Sequence, residues 1–299
     1  GLSWMQRSAR RTRRMCESET PVVLPGENIL FTRTIVDVPP LYMPGQHARL
    51  TKDVTLHELG PISNICADWG KVIASGLLVR RQVAESSRQR LIDVPEAVTF
   101  LDSAIETIDA VLDLAARYAR AARRAARPDL AAILERVPAY PARTFHEALQ
   151  SLRLLHAVVW MSGHYHVGLG RFDQYMWPYL QADLEEGRLD QNKAEALLAE
   201  FFISLNKDSD LYPGVQQGDN GQSLTIGGVD SRGQEASNPL TLMVLRVARD
   251  VGMIDPKINL RISPQTELDT LALATELTRK GLGFPQYAND DVVIPALVD

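Results

Sequence analysis

Cysteine is nearly absent: Cys16 and Cys66 are the two in 299 residues. That excludes a disulfide scaffold and a C-x-x-C zinc site, and it fits a reduced, cytoplasmic chain. No apolar run approaches the roughly 20 residues a membrane helix needs. Neither sign of charge dominates, with 32 Lys and Arg against 37 Asp and Glu and a net charge of -5. So mild a balance leaves no footprint for nucleic acid. The basic stretch "RSARRTRR" lacks the apolar core of a signal peptide and reads as the solvated face of a first helix. There is no P-loop, no G-x-G-x-x-G, no G-x-S-x-G, no internal repeat and no low-complexity tract. What is present is ordinary for a globular protein, 45% hydrophobic and 23% charged, in a chain long enough for a large core.

The chain divides in texture, within a single domain spanning 1–299. Residues 1–207 read as mainly helical and 208–299 as alternating strands and helices. A first helix covers residues 1–18, and a Pro- and Gly-rich arm follows at 21–45 with one β-like run, Ile29 to Val36. Asp68 is placed to cap the next helix. From Pro95 to Arg127, apolar residues at Val98, Leu101, Ile105, Ile108 and Leu112 keep helical spacing, and Pro128 closes the run. Thr144 and Glu147 make a capping-box pattern before "FHEALQSLRLLHAVVWM". Asp190 caps a further amphipathic helix. Beyond 208, "QSLTIGG", "KINLRIS" and "FPQYAND" read as strands, separated by a helix capped at Ser237 and a helix with a glycine stop. Strand and helix alternating at this spacing predict parallel βαβ units, with a strand edge left open.

Candidate polar sites are few. His164 and His166 flank Tyr165 in "GHYHVG", beside glycines that favour an irregular bend. A metal pair, satisfied core groups and a pocket for a small substrate are the three readings; a metal lacks a third ligand at useful spacing. Arg171 and Asp173 suit a local ion pair that fixes the bend. "DSD" at 208–210 lacks the acidic positions of a calcium loop. Cys66 precedes a helix start, where a thiol is either acidified by the helix dipole or simply buried.

In order along the chain, "GPISNICADWGKVIASGL", "VPAYPARTFHEALQSL", "GLGRFDQYMWPYL", "QSLTIGG", "INLRIS" and "GFPQYANDD" resemble segments of the glycyl radical enzymes, the pyruvate formate-lyase-like superfamily. The resemblance implies an α/β fold, mostly helical by content. A helical N-terminal layer would pack on the first half of a ten-stranded α/β barrel. It implies cleavage of a C–C, C–O or C–N bond of a small organic substrate by thiyl radical chemistry in an anaerobic cytoplasm. A dehydratase or lyase comes first and a formate acetyltransferase-like reaction second. No metal or organic cofactor is bound; a separate radical S-adenosylmethionine activase installs a glycyl radical. A homodimer, no nucleic acid and no membrane complete the expectation.

By the same resemblance Asn64, Tyr165, His166, Gly221 and Gln222 line the substrate cavity, with "GRFDQYMWPY" as scaffold behind them. At the position of Asn64 relatives carry an arginine, histidine or aspartate, so an anion clamp of the pyruvate enzyme's kind is not expected here. Gly221 stands where that enzyme is bulky, which implies a roomier pocket. Neither cysteine lies in the family's "GC-E" setting, and no "RVxGY"-like motif is present. The resemblance therefore implies an N-terminal portion, joined in the complete enzyme to a C-terminal remainder and inactive alone. The alternative is a non-catalytic binding module that kept the family scaffold.

Overall fold

The computed structural model describes residues 1–35, 41–53, 56–57, 60–61, 65–161, 166–207 and 222–298. The elements run α1 (Trp4–Ser18), α2 (Pro44–Lys52), β1 (Leu56–His57), β2 (Gly60–Pro61), β3 (Ile65–Cys66), α3 (Trp69–Ser75), α4 (Leu77–Arg90) and α5 (Pro95–Arg124). Then come α6 (Pro128–Arg136), α7 (Phe145–Met161), β4 (Val167–Gly168), β5 (Gly170–Arg171), α8 (Phe172–Glu185) and α9 (Gln191–Leu205). The last are β6 (Ser223–Gly227), α10 (Pro239–Val251), β7 (Lys257–Ile262), α11 (Leu268–Thr278), β8 (Gln286–Asn289) and α12 (Asp290–Val298). No described helix is long and apolar enough to cross a membrane.

The arm before α2 is the clearest departure from the sequence reading. Residues 29–35 form no strand, although their composition favours one. Their backbone groups bond to side chains instead. Leu30 N–H donates to Gln150 Oε1 at 2.7 Å and Leu30 O accepts from Gln150 Nε2 at 2.9 Å. Ile29 N–H reaches Glu200, Phe31 O accepts from Arg153, and Thr32 O accepts from Tyr118. A buried backbone needs partners, and α5, α7 and α9 supply them without a neighbouring strand. Ile29, Leu30 and Phe31 are thereby sealed into the common core.

Helix ends follow local chemistry, with four corrections. Asp68 and Asp190 cap α3 and α9 through Lys71 N–H and Lys193 N–H. Asn238, not Ser237, caps α10, because its Oδ1 reaches both Leu240 N–H and Thr241 N–H. Pro128 does not close α5; it opens α6, where a missing N–H costs nothing. The capping box at Thr144 is half formed. Glu147 N–H donates to Thr144 Oγ1, while the Glu147 carboxylate takes Arg143 N–H and the Arg143 and Arg136 guanidiniums. The glycine stop of α11 shifts outward, with Arg279 as the cap and Gly281 at φ +75° beyond it.

The strands exceed the three expected from the sequence. β6, β7 and β8 are parallel neighbours, and β5 adds a parallel strand at Gly170 and Arg171. On the other side, β3 pairs in parallel with β4. Leu169 joins the two sheets by donating its N–H to Ser223 O at 2.7 Å. Residues 167–171 thus serve one neighbour on each side. The result is a parallel array in the order β3, β4/β5, β6, β7, β8, reached by helical crossovers, as half of an α/β barrel requires.

Candidate functional site

Alternation along β6 and β7 separates two faces. Leu224, Ile226, Ile258 and Leu260 are fully buried and share a core with Val244 of α10 and Ala274 of α11. Ser223, Thr225, Lys257, Asn259 and Arg261 occupy the alternate positions and are half-buried. Register aligns Ser223 with Lys257, Thr225 with Asn259, and Asn259 with Gln286. Side chains two apart share a face, so these residues form a polar band across the strands. A parallel sheet covered on both faces by protein is usually apolar throughout. A polar band here marks the face that meets something polar. The sequence carried the signal in the alternation of "SLTIG" and "KINLRI", which the strand assignment alone did not use.

The residues expected from the resemblance fall as follows. Asn64, Tyr165 and Gly221 lie outside the described residues, as do His164 and "DSD". His166 is half-buried, directly before β4, at φ +60°. Gln222 is fully buried directly before β6. Because β4/β5 and β6 are parallel neighbours, His166 and Gln222 stand at the same end of the array. Gln222 Nε2 donates to Leu205 O at 3.1 Å, so its amide group turns toward the end of α9; its Oε1 has no hydrogen bond among the described residues. Lys257 N–H donates to Gln222 O, which ties this end to β7.

"GRFDQYMWPY" holds this wall in place. Phe172 stacks on Phe201 with centroids 5.9 Å apart and meets Tyr175 edge-on. Half-buried Tyr175 donates its hydroxyl to Leu169 O at 2.7 Å, and desolvation of the phenol pushes it well above its usual range. Trp69 Nε1–H donates to Gly168 O at 2.8 Å, and His156 Nε2 lies 3.0 Å from Val167 O. Three consecutive carbonyls of the strand are thus held by side chains from α3, α7 and α8.

Arg171 and Asp173 do not form the local ion pair expected of them; each binds the chain around Gly227 instead. Arg171 donates to Gly227 O and Val229 O, while Asp173 Oδ2 accepts from Gly227 N–H and Thr241 Oγ1. Both grip the "IGG" turn after β6. Arg261 and Asp290 grip it from the far side, at 2.8 Å from each other, with Asp290 Oδ2 accepting from Val229 N–H. Gly228, at φ +78°, leaves no room for a Cβ beside Asp290 Oδ2 and Arg261. Burial raises the Asp173 carboxyl, and burial with the nearby Arg261 charge lowers the Arg171 guanidinium.

Cys66 answers to neither sequence reading. The residue is exposed rather than buried, yet burial of the thiol against its neighbours and the Asp68 carboxylate raise it rather than acidify it. Its Sγ faces Gly170, where a Cβ would stand 2.9 Å away. Cys16 is fully buried and pushed up to about 12 by desolvation. Iodoacetamide at pH 7.5, followed by peptide mass spectrometry, should label Cys66 more slowly than a free thiol and Cys16 only on unfolding. Labelling of Cys66 faster than the free thiol would restore the helix-acidified reading. No group of three or more metal-ligating side chains occurs among the described residues.

Comparison with known proteins agrees with this architecture. The chain is 29% identical over 259 residues to isethionate sulfite-lyase of Nitratidesulfovibrio vulgaris, covering 77% of this chain and 31% of that protein. It is 26% identical over 274 residues to trans-4-hydroxy-L-proline dehydratase of Clostridioides difficile, covering 82% and 34%. It shares its fold with a glycyl radical enzyme from Archaeoglobus fulgidus, at a TM-score of 0.86 and 21% identity, covering all of this chain and 48% of that one. The chain therefore spans about a third of the length of these curated relatives and about half of that solved chain. The pyruvate formate lyase-like family model matches residues 43–299, and with it the chain belongs to the glycyl radical enzyme superfamily that its motifs and half-barrel resemble.

Proposed function

We propose that this chain forms part of a glycyl radical lyase or dehydratase that eliminates water, an amine or a comparable group from a small organic substrate. The polar band on the strands carries the reading. A radical enzyme needs a closed wall with a few placed hydrogen-bonding groups, and Ser223, Thr225, Asn259 and Gln286 offer neutral ones in register. The radical glycine, installed by a separate S-adenosylmethionine radical activase, would supply hydrogen-atom abstraction through a cysteine thiyl. The residues of this chain bind, orient and protonate. His166, at the end of the array, gives a proton to a departing hydroxyl, which leaves as water. Asn64, Tyr165, Gly221 and Gln222 are the remaining proposed cavity residues. The names of the two curated relatives, a sulfite-lyase and a dehydratase, favour elimination over acyl transfer. The same reading sets the protein in an anaerobic cytoplasm, as a homodimer when complete.

The test is to express the complete reading frame, activate it anaerobically, and record both the electron paramagnetic resonance spectrum and turnover. The panel is a vicinal diol, trans-4-hydroxy-L-proline, isethionate, and pyruvate with coenzyme A. A glycyl doublet with elimination from one of the first three is expected. Formate from pyruvate would replace the reading with acyl transfer. A missing doublet would favour the non-catalytic module.

A further inference from the structure

A cavity of about 520 Å³ opens on the helix-covered side of the sheet, among α8, α10 and α11. Its apolar wall comes from Trp177, Leu180, Leu242 and Met243. Its polar wall comes from the stretch before α10 and the start of α11. Three observations there are not explained by folding alone.

Two carboxylates line the cavity without a cation. Glu235 accepts only neutral donors, Ser237 N–H at 2.9 Å and Thr266 Oγ1 at 3.2 Å. Glu267 is the next residue after Thr266, and its carboxylate has no hydrogen bond or ion pair. The cation of this cavity, Arg246, is already held by Glu195 at 3.0 Å. Thr270 also lines the cavity, with 2% of the residue exposed, and its hydroxyl has no partner among the described residues. A nearly buried hydroxyl without a partner calls for one. Glu235, half-buried and held only by neutral donors, favours positive charge beside it, exposed Glu267 adds negative charge at the rim of the cavity, and an indole with aliphatic neighbours suits an apolar body and tolerates a cation beside it. A hard divalent ion would want about six oxygen ligands, which this apolar wall does not offer.

We propose that this cavity binds a small organic cation, with its hydrocarbon part against Trp177 and Met243 and its ammonium between Glu235, Glu267 and Thr270. Isothermal titration calorimetry on the complete protein tests it, with 2-phenylethylammonium as the probe and 2-phenylethanol and 3-phenylpropionate as the neutral and anionic controls. The ammonium should bind saturably at one site, the alcohol more weakly, and the carboxylate not at all. Glu267→Gln touches no hydrogen bond in the fold, so its melting temperature should hold while ammonium affinity falls by about threefold to tenfold. Thr270→Val should weaken the ammonium by a similar factor, and added potassium chloride should weaken it progressively. Failure to saturate by about 10 mM overturns the proposal. So does equal binding of the carboxylate, or an affinity that Glu267→Gln leaves unchanged.

Discussion

Replacing His166 by Asn in the complete, activated protein should lower turnover by about 10² to 10⁴ while leaving radical content and melting temperature in place. The choice of Asn follows from the backbone. His166 sits at φ +60°, a region that disfavours most side chains but admits Asn and Gly. Glutamine would keep more of the volume yet add backbone strain, and a loss of activity would then be ambiguous. Asparagine keeps hydrogen-bonding capacity and removes the imidazole. His166→Gly is the companion variant: it relaxes the backbone fully and deletes the side chain. If both variants lose turnover at full radical loading, the imidazole acts in the reaction. If both melt lower and turn over normally per radical, His166 is a packing group. Activity against pH separates a proton donor from a spectator, since a donor's removal erases the limb that reports its titration.

Gly76→Ala should be the most damaging small substitution in the helical layer. Gly76 closes α3 and opens α4 at φ +74° and ψ 161°, a conformation essentially confined to glycine. A Cβ there would lie 2.5 Å from Ala139 O and 2.6 Å from Tyr140 C, both backbone atoms. Leu77 N–H and Leu78 N–H donate to Pro138 O and Ala139 O, so the two segments cannot part without losing those bonds. Backbone strain and the clash together should cost about 3–5 kcal/mol. Equilibrium urea unfolding measures it, with Gly187→Ala as the control. Gly187 also has positive φ, at +68°, but open space where its Cβ would go. A loss for Gly76→Ala no greater than for the control would mean that the backbones shift freely and the junction is not rigid.

Most helices were legible because they are written locally. The spacing from Val98 to Leu112 and the caps at Asp68 and Asp190 need only nearby residues. The arm at 29–35 was not legible, because its partners, Gln150, Arg153 and Glu200, lie more than a hundred residues away. β4 and β5 escaped for a related reason. Their residues are glycine-rich and short, and the sheet position of Val167–Arg171 comes from β3 on one side and β6 on the other. Cys66 was misjudged because burial of its thiol, against Gly170 from across the fold, and the Asp68 carboxylate that caps the next helix outweigh the pull of that helix. Of the residues that the resemblance implies, His166 and Gln222 stand together at one end of the array. The polar band of Thr225 and Asn259 was instead visible in plain alternation.

The wall that ends in His166 is steadied at three successive carbonyls, by His156 at Val167, Trp69 at Gly168 and Tyr175 at Leu169. Three supports from three separate helices define a plane, as the legs of a tripod do, and shortening one leg tilts the whole platform. Tyr175→Phe removes one such support with hardly a change in bulk. Its consequence would surface as misaim rather than collapse: a protein that folds and carries its radical, yet releases more of its substrate unreacted because the edge beside it has swung.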